Sequence, residues 1–330
     1  MSRKKDLNNT RILITGGSGY IASNLIQRLS SFECDITILT RKATITEKTM
    51  GKATVHSIHS SITDITDWEP VLSGIDVIYH LAAQTGIYQA NQDPEQDLLI
   101  NVVPLIRILE TCRTCNFKPV IIFASTNTIS GIPETLPVDE SLSDDPLTIY
   151  DLHKKMAEDY LRYYIRQNIV SGSTLRLANV YGPGPKSSNA DRGVINQMIK
   201  RALRSQDLTL YGPGDYIRDY VFIDDVVDAF IKAYEYSGNL DGGHYIIGSG
   251  KGHTIRETFL AIQEIALKKT GNAARITHVD PPESLHPIEK RNFIADFRKY
   301  HNLTGWTPRH ELADGLESTI DFYLKNQGEN

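Results

Sequence analysis

Short, nearly continuous apolar runs alternate along the chain with segments of helical periodicity. Between the first two runs, Ile21, Leu25 and Leu29 follow the spacing that places apolar side chains on one face of a helix. Runs without an alternating polar face are typical of strands that helices cover on both sides. The pattern predicts an α/β fold built on a doubly wound parallel sheet. The predicted strands are RILITG (11–16), DITILT (35–40), DVIYHLAA (76–83), VIIFAS (120–125) and STLRLANV (173–180).

Connections become longer and richer in proline, glycine and polar residues in the second half of the chain. The clearest examples are YGPGPKSSNADRG (181–193) and DPPESLHPIEKRN (280–292). Loops of this kind usually shape a binding cleft. We therefore expect a first domain over 1–181, with segments near 219–249 returning to it, and a smaller α/β domain over 182–330 that binds a ligand.

The composition is that of an ordinary soluble globular protein. Of 330 residues, 40% are apolar and 23% are charged, and the formal net charge is −5. No excess of one sign favours nucleic acid or a membrane surface as a partner, so small molecules are the expected ligands. No apolar run approaches the roughly 18 residues of a membrane span, and the polar start MSRKKDLNNT is not followed by the apolar core of an export signal. We expect a cytoplasmic protein.

The three cysteines suit a reducing compartment rather than a disulfide framework. Cys112 and Cys115 form a CxxC pair within the helical run LIRILETCRTCNF. No second cysteine pair completes a zinc site. We predict an ordinary helix there and no metal site.

The segment RILITGGSGYIASNLI (11–26) places a glycine-rich turn between the first strand and the first helix. Glycines in this context allow a tight turn, here at Gly16, and a close approach of a dinucleotide pyrophosphate to the backbone, here at Gly19. The helix begins near Tyr20 and Ile21, and its unpaired N–H groups offer a partial positive charge to phosphate. We predict that these four residues bind a dinucleotide cofactor.

The end of the second strand distinguishes the two common dinucleotides. An acid at this place accepts hydrogen bonds from the ribose 2′ hydroxyl of NAD, whereas an arginine accommodates the 2′ phosphate of NADP. Here Thr40 is followed by Arg41 and Lys42. Two cations without a carboxylate favour NADP over NAD, although both side chains could also be plain solvated surface.

Tyr150 and Lys154 lie four positions apart in TIYDLHKKMAEDYLRYYI (148–165), a stretch with helical spacing. Side chains at this spacing share one helix face, so the phenol and the ammonium can approach each other. Making a free tyrosine a base near neutrality costs about 4 kcal/mol, because its pKa is about 10. A cation about 4 to 5 Å away supplies roughly 3 to 4 kcal/mol at an effective dielectric constant of about 20. The pair is a candidate acid–base centre, although the same spacing also arises by chance.

Taken together, TGGSGYIA, HLAA and YDLHK resemble the extended short-chain dehydrogenase/reductase family, in particular its NAD(P)-dependent nucleotide-sugar epimerase and dehydratase branch. FASTNTISG precedes the tyrosine, and LRLANVYGPG and RDYVFIDDV follow it, in the order of that branch. The resemblance extends from about residue 11 to residue 320. It implies a Rossmann-type dinucleotide-binding domain over 1–181 and a nucleotide-sugar-binding domain over 182–330.

The resemblance implies roles for three candidate catalytic residues. Thr126 hydrogen-bonds the reacting sugar oxygen, Tyr150 acts as base or acid, and Lys154 holds the nicotinamide ribose and lowers the pKa of the tyrosine. Tyr150 can then take a proton from a sugar hydroxyl while hydride leaves the same carbon for the nicotinamide.

The resemblance also implies cofactor contacts beyond the glycine turn. Leu81, Ala82 and Ala83 of the HLAA motif lie beside the cofactor in this branch. Ser61 and Ile62 flank the adenine, although Ser61 in SSITD stands where the branch often has an acid. Asn101 resembles an asparagine beneath the active site, with core hydrogen bonding as its alternative role.

Other positions match residues that contact the substrate. Asn179 in LANVYGP matches a substrate-contacting asparagine, and Arg218 in IRDYVFIDD matches an arginine that binds the nucleotide diphosphate. Arginine suits this task because its fork meets phosphate oxygens in pairs. The alternative for Arg218 is a structural pair with Asp219 or Asp224. Arg291 in EKRNFIAD is a second phosphate candidate.

The choice of reaction remains open between two enzyme classes. Dehydratases and related decarboxylases of the branch have an acid within two positions of the catalytic hydroxyl, whereas Thr126 is followed by Asn127 and Thr128. A 4-epimerase returns the hydride to the other face of a keto-sugar, and a 4-keto reductase consumes NADPH once per turnover. The motifs favour the epimerase and Arg41 favours the reductase. A non-catalytic dinucleotide sensor is a remote alternative.

The resemblance finally implies a homodimer. In this branch the helices corresponding to 98–114 and 150–167 pack against their copies as a four-helix bundle. The sequence alone shows only that these helices are long and partly apolar.

Overall fold

A computed structural model of the chain describes residues 4–41, 47–184, 193–240, 242–271 and 273–326. Lys42, one of the two cations predicted to receive a 2′ phosphate, lies outside the described residues. Across these ranges, no helix is both long and apolar enough to cross a membrane.

The described residues form thirteen strands and eleven α-helices. The strands are β1 (Arg11–Thr15), β2 (Asp35–Thr40), β3 (Glu47–Met50), β4 (Ala53–His59), β5 (Val77–His80), β6 (Val120–Thr126), β7 (Ser171–Leu177), β8 (Asn179–Tyr181), β9 (Leu208–Tyr211), β10 (Ile217–Phe222), β11 (His244–Ile247), β12 (Gly252–Thr254) and β13 (Ile276–Val279). The helices are α1 (Tyr20–Leu29), α2 (Glu69–Leu72), α3 (Ile87–Gln92), α4 (Pro94–Asn101), α5 (Val103–Cys115), α6 (Ile149–Arg166), α7 (Val194–Leu203), α8 (Ile223–Glu235), α9 (Ile255–Thr270), α10 (Arg298–Thr304) and α11 (Leu312–Lys325).

Eight strands form one sheet in the order β11-β7-β6-β5-β1-β2-β4-β3. Neighbouring strands are parallel, except that β3 and β4 are antiparallel. The predicted α/β fold with a doubly wound parallel sheet is therefore confirmed. The strand order runs outward from β1 in both directions, so the carboxyl ends of β1 and β5 border the crevice in which such folds bind ligands. Thr15 and His80 are paired at these two ends.

Helices cover both faces of this sheet because its strands are apolar on both sides. Ile12 and Ile14 of β1 belong to a buried cluster with residues of α1 and α8. Leu13, between them, belongs to a second cluster with residues of α5 and α6. This is the alternation that an extended backbone imposes. Each such side chain stabilises the fold by roughly 1.5–3 kcal/mol on burial.

The predicted strand STLRLANV is interrupted at Ala178, so the prediction of one strand is wrong there. β7 ends at Leu177 in the main sheet, whereas β8 begins at Asn179 and pairs with β10 in a separate three-stranded sheet with β12. The chain leaves the main sheet at this point. It returns through α8 to β11, which pairs in parallel with β7. The assignment of 182–330 to substrate binding stays a prediction.

Candidate active site

The glycine turn joins the end of β1 to the start of α1. Gly16 has φ of +72°, and a Cβ there would lie 2.9 Å from the Cα of Ala82, so both conformation and space require glycine. A Cβ on Gly19, the N-cap of α1, would lie 3.0 Å from the Gly16 carbonyl oxygen. No side chain of the described residues caps α1. Its first N–H groups, at Tyr20 and Ile21, therefore remain suited to an anion such as phosphate.

A buried threonine holds the HLAA segment against this turn. Thr15 Oγ1 accepts hydrogen bonds from the backbone N–H groups of Leu81 and Ala82, both at 3.1 Å. Its own hydrogen is then left for His80 Nδ1, 3.2 Å away. Burial, followed by the charge of Lys154, lowers the pKa of His80 to about 3, so this imidazole is neutral. The glycine turn and the HLAA segment, which both carry candidate cofactor residues, are thereby held together. Ala83 directly follows Ala82.

The ends of β2 and β4 lie side by side, with Thr40 paired to His59. Arg41 follows β2 and is exposed. Ser61 follows β4, and its hydroxyl lies 2.9 Å from Thr63 Oγ1. Ile62 is buried in the cluster under α5. Arg41, Ser61 and Ile62 are thus at one edge of the sheet, and their contacts with the adenosine half of a cofactor stay predictions.

The three candidate catalytic residues converge on the end of β6. Thr126 is the last residue of β6, and Tyr150 and Lys154 lie in the first two turns of α6. All three are buried, with 7%, 3% and 2% of their surface exposed. Lys154 Nζ donates a hydrogen bond of 2.6 Å to the carbonyl oxygen of Ala124, two residues before Thr126. This bond fixes the helix that carries Tyr150 against the strand that carries Thr126.

Of the predicted substrate residues, Asn179 has the clearest unused binding capacity. Its Oδ1 atom is buried and accepts no hydrogen bond from the residues that the structure describes. A buried acceptor without a donor costs free energy, which a bound ligand can recover.

Arg218 is buried against the backbone of neighbouring segments. It is 4% exposed, and its guanidinium donates to the carbonyl oxygens of Ile217, Glu289 and Arg291. Neither Asp219 nor Asp224 is among these partners of the guanidinium within the described residues. Burial lowers the pKa of Arg218. Arg218 thus holds the Pro287–Lys290 segment against β10, and phosphate binding by Arg218 stays a prediction.

Arg291 is also buried, and its Nη1 donates to the carbonyl oxygen of Ile288 at 3.0 Å. Both candidate phosphate arginines therefore contact the backbone in and next to the Pro287–Lys290 segment. The Arg218 guanidinium contacts the backbone of Arg291, and phosphate binding by Arg291 stays a prediction.

Residues 12–248 match the NAD dependent epimerase/dehydratase family. The chain belongs to this family. The predicted resemblance to the epimerase and dehydratase branch is confirmed at this level, and the protein is an enzyme of the NAD dependent epimerase/dehydratase family.

Individual members of the family match over almost the whole chain. The UDP-glucose 4-epimerase of Mycolicibacterium smegmatis is 30% identical, over 95% of this chain and 98% of the relative. UDP-glucuronic acid decarboxylase 3 of Arabidopsis thaliana is 30% identical, over 96% of this chain and 90% of the relative. The crystal structure of the UDP-glucose 4-epimerase of Thermotoga maritima with UDP-glucose superposes with a TM-score of 0.84 at 28% identity, over 96% of this chain and 100% of that chain.

Sequence reasoning did not find a buried carboxylate beside the site of this epimerase/dehydratase family member. Asp151 follows Tyr150 and is completely buried. Its side chain accepts hydrogen bonds from the hydroxyls of Thr128 and Thr148. The spacing of Thr148 and Asp151 is a recognisable helix-start signal. The contact with Thr128, which joins α6 to the segment after β6, has no local signal.

A second buried network holds the helices beneath the site. Asn101 exchanges hydrogen bonds with the backbone of Gln84 and donates to Asp97 Oδ1 at 2.9 Å. The other Asp97 oxygen lies 2.7 Å from Nδ1 of His153, the residue before Lys154. The hydrogen-bonding capacity of the Asn101 side chain is thus used within the fold, which supports its alternative role in the core. The network joins α4 to α6.

Proposed function

We propose that the protein is an NAD(P)-dependent nucleotide-sugar epimerase that inverts C4 through a transient keto-sugar. The observation that carries the proposal is the convergence of Thr126, Tyr150 and Lys154, all buried, at the carboxyl end of β6, on the same edge of the sheet as the glycine turn. The names of the relatives favour a UDP-sugar as the substrate.

The residues fit a dinucleotide. Gly16 and Gly19 make a tight turn in which a Cβ would meet the backbone, and the uncapped start of α1 offers N–H donors to a pyrophosphate. When bound, the nicotinamide supplies the acceptor and donor for hydride. Tyr150 takes the proton of the sugar hydroxyl and returns it after the sugar has turned over. Lys154 holds the ribose and keeps positive charge near the phenol, while Thr126 orients the sugar oxygen.

The cofactor in this proposal is NADP, with NAD as the alternative. Arg41 is exposed at the end of β2, and no carboxylate follows Thr40 directly. Among the described residues at this edge, Arg41 is the cation best placed for a 2′ phosphate. The family is NAD dependent, which is why NAD is the alternative.

A second candidate is the NADPH-dependent reduction of a 4-keto nucleotide sugar, which the same Arg41 favours. Decarboxylation, as named for the Arabidopsis relative, has less support. Thr126 is followed by Asn127 and Thr128 rather than by an acid, and the nearby Asp151 carboxylate is already occupied by two hydroxyls.

The test is to incubate the purified protein with UDP-, GDP-, CDP- and dTDP-sugars and follow sugar isomers and NADPH together. We expect isomers of one sugar to interconvert without net loss of NADPH, and we expect Tyr150→Phe to abolish this while still binding the cofactor. Stoichiometric loss of NADPH with a keto-sugar would identify the reductase instead. Full activity of Tyr150→Phe would reject the catalytic assignment.

We also propose a cytoplasmic homodimer formed through α4, α5 and α6. Leu99 on α4 and Leu152, Tyr160 and Tyr163 on α6 are large apolar side chains with 39%, 43%, 38% and 58% of their surface exposed. Such exposed sets are typical of interfaces. Sedimentation should give a dimer for the wild type and a monomer for Leu152→Asp/Tyr163→Asp, whereas a monomeric wild type at micromolar concentration excludes the dimer.

A further inference from the structure

Thr126 is the first member of a chain of hydroxyls that ends on a buried carboxylate. Its Oγ1 lies 2.8 Å from Thr128 Oγ1, and Thr128 Oγ1 donates to Oδ1 of Asp151. The other carboxylate oxygen accepts from Thr148 Oγ1 at 2.7 Å. Asp151 is 0% exposed, so water does not compete for these bonds. Each carboxylate oxygen therefore already has a hydroxyl donor.

The carboxylate sets the direction of every hydrogen bond in this chain. A threonine hydroxyl has one hydrogen. Since Thr128 gives its hydrogen to Asp151, the hydrogen between Thr128 and Thr126 must come from Thr126. Thr126 Oγ1 also accepts from the backbone N–H of Thr128 at 3.3 Å. Within the described part of the chain, Thr126 has then used its hydrogen and one lone pair, which leaves one lone pair.

We propose that Asp151, acting through Thr128, is a positioning residue that makes Thr126 a hydrogen-bond acceptor toward the bound sugar. The inference rests on the proposed function, in which Thr126 contacts the reacting sugar oxygen. An alcohol can donate to Thr126, whereas a ketone has no hydrogen to give. Donation from Thr126 to the ketone would require the whole chain to reverse, with a proton on Asp151. The sugar alcohol has one hydrogen, so it donates to Thr126 before the reaction and to Tyr150 when that residue takes the proton. The arrangement therefore favours the bound alcohol over the keto intermediate.

The binding test compares UDP-glucose with its 4-deoxy-4-fluoro analogue, whose fluorine has no hydrogen to donate. Dissociation constants are measured with oxidised cofactor in a Tyr150→Phe background, so that the sugar is not consumed. We expect the analogue to bind about 10-fold more weakly, the value of one hydrogen bond. Adding Thr128→Val frees the Thr126 hydrogen, which can then be donated to the ligand, and should lower this ratio, whereas Thr128→Ser keeps the hydroxyl and should restore it.

Thr148→Val is the matched control, because Thr148 binds the same carboxylate but not Thr126. We expect it to lower stability through the lost helix cap and to keep the analogue ratio. Three results would overturn the inference. The first is equal binding of the two ligands in the Tyr150→Phe background, and the second is an unchanged ratio of dissociation constants after Thr128→Val. The third is a loss of the ratio in Thr148→Val as well.

Neutron diffraction from the deuterium-exchanged protein without sugar tests the same inference independently of activity. We expect one deuteron between Thr126 and Thr128 and another between Thr128 and Asp151. A Thr126 deuteron directed away from Thr128 contradicts the inference even if the enzyme interconverts sugars. If both deuterons are in place but no nucleotide sugar binds or reacts, the proposed function fails and the hydroxyl orientation stands.

Discussion

Lys154 Nζ lies 3.9 Å from the centroid of the Phe123 ring while it donates a 2.6 Å hydrogen bond to the carbonyl oxygen of Ala124. The ammonium is therefore held by two consecutive residues of β6, one through its ring face and one through its backbone. Both contacts favour a cation. The charge is kept in a buried place from which it can act on Tyr150, one helical turn earlier.

Replacing this ammonium by an apolar side chain of similar length should remove most of the activity. We expect Lys154→Met to lower kcat roughly 100-fold or more, because a nearby charge supplies roughly 3 to 4 kcal/mol toward ionising the phenol, and to weaken cofactor binding. Steady-state kinetics and fluorescence titration with cofactor measure the two effects. Lys155→Met is the matched control, since Lys155 pairs with Asp159 at 2.6 Å. Equal losses in both variants would point to general damage to α6.

Much of the site follows from local sequence, and the rest depends on contacts between distant segments. The turn at Gly16 and the pair Tyr150/Lys154 are readable because a turn conformation and a helix face are local properties. Two of the three partners of Arg218 are 71 and 73 residues away, and no periodicity encodes such pairing. The same holds for Thr128 and Asp151, 23 residues apart.

The fold shows the same division. Apolar runs were sufficient to predict β1, β2, β5 and β6, because burial on both faces leaves a strong signal. The break at Ala178 has no such signal, since Leu177 and Val180 remain apolar on both sides of it. There the chain moves from one sheet to another, which only the tertiary structure determines.

Cofactor choice should depend on Arg41. We expect the wild type to bind NADP more tightly than NAD, and Arg41→Ser to weaken NADP binding roughly 10-fold with little change for NAD, because a charge-assisted hydrogen bond contributes about 1.5–3 kcal/mol. Calorimetric titration with both dinucleotides measures this. Arg11→Ser, an exposed arginine at the opposite end of β1, should change neither. Tighter binding of NAD by the wild type, unaffected by Arg41→Ser, contradicts the assignment.

Asn179 and Asn101 should respond to alanine in opposite ways. Asn179→Ala removes an acceptor that has no protein donor among the described residues, so we expect KM for the nucleotide sugar to rise about 10-fold with unchanged stability. Asn101→Ala leaves the backbone N–H and carbonyl of Gln84 without their side-chain partner. It should lower the free energy of unfolding by about 1–3 kcal/mol. Kinetics and urea denaturation of both variants separate the roles. A stability loss in Asn179→Ala without a change in KM would assign it to the fold.

Arg176 of β7 forms the main buried ion cluster of the described residues. It is 3% exposed and binds Glu158 of α6 at 2.7 Å and Asp144 at 2.5 Å. We expect Arg176→Met to lower the free energy of unfolding by about 3–5 kcal/mol, because two carboxylates lose their shared partner. Arg162→Met, which removes an exposed pair with Asp159, should cost about 1 kcal/mol or less. Urea denaturation compares them, and similar losses would show that burial does not matter here.

His244, at the start of β11, should make the fold less stable in mild acid. Burial, followed by the charge of Arg176, lowers the pKa of His244 to about 4, whereas an unfolded histidine has a pKa of about 6.5. Between these values the unfolded chain binds the extra proton, so the free energy of unfolding rises with pH across this window and falls as the solution is acidified. We expect His244→Asn to reduce this slope, measured by urea denaturation from pH 4 to 7, while exposed His278→Asn keeps it. Part of this pH dependence should persist in His244→Asn because the pKa of His80 is also lowered, to about 3. A slope that does not change in His244→Asn would mean that His244 is already protonated in the folded protein across this window.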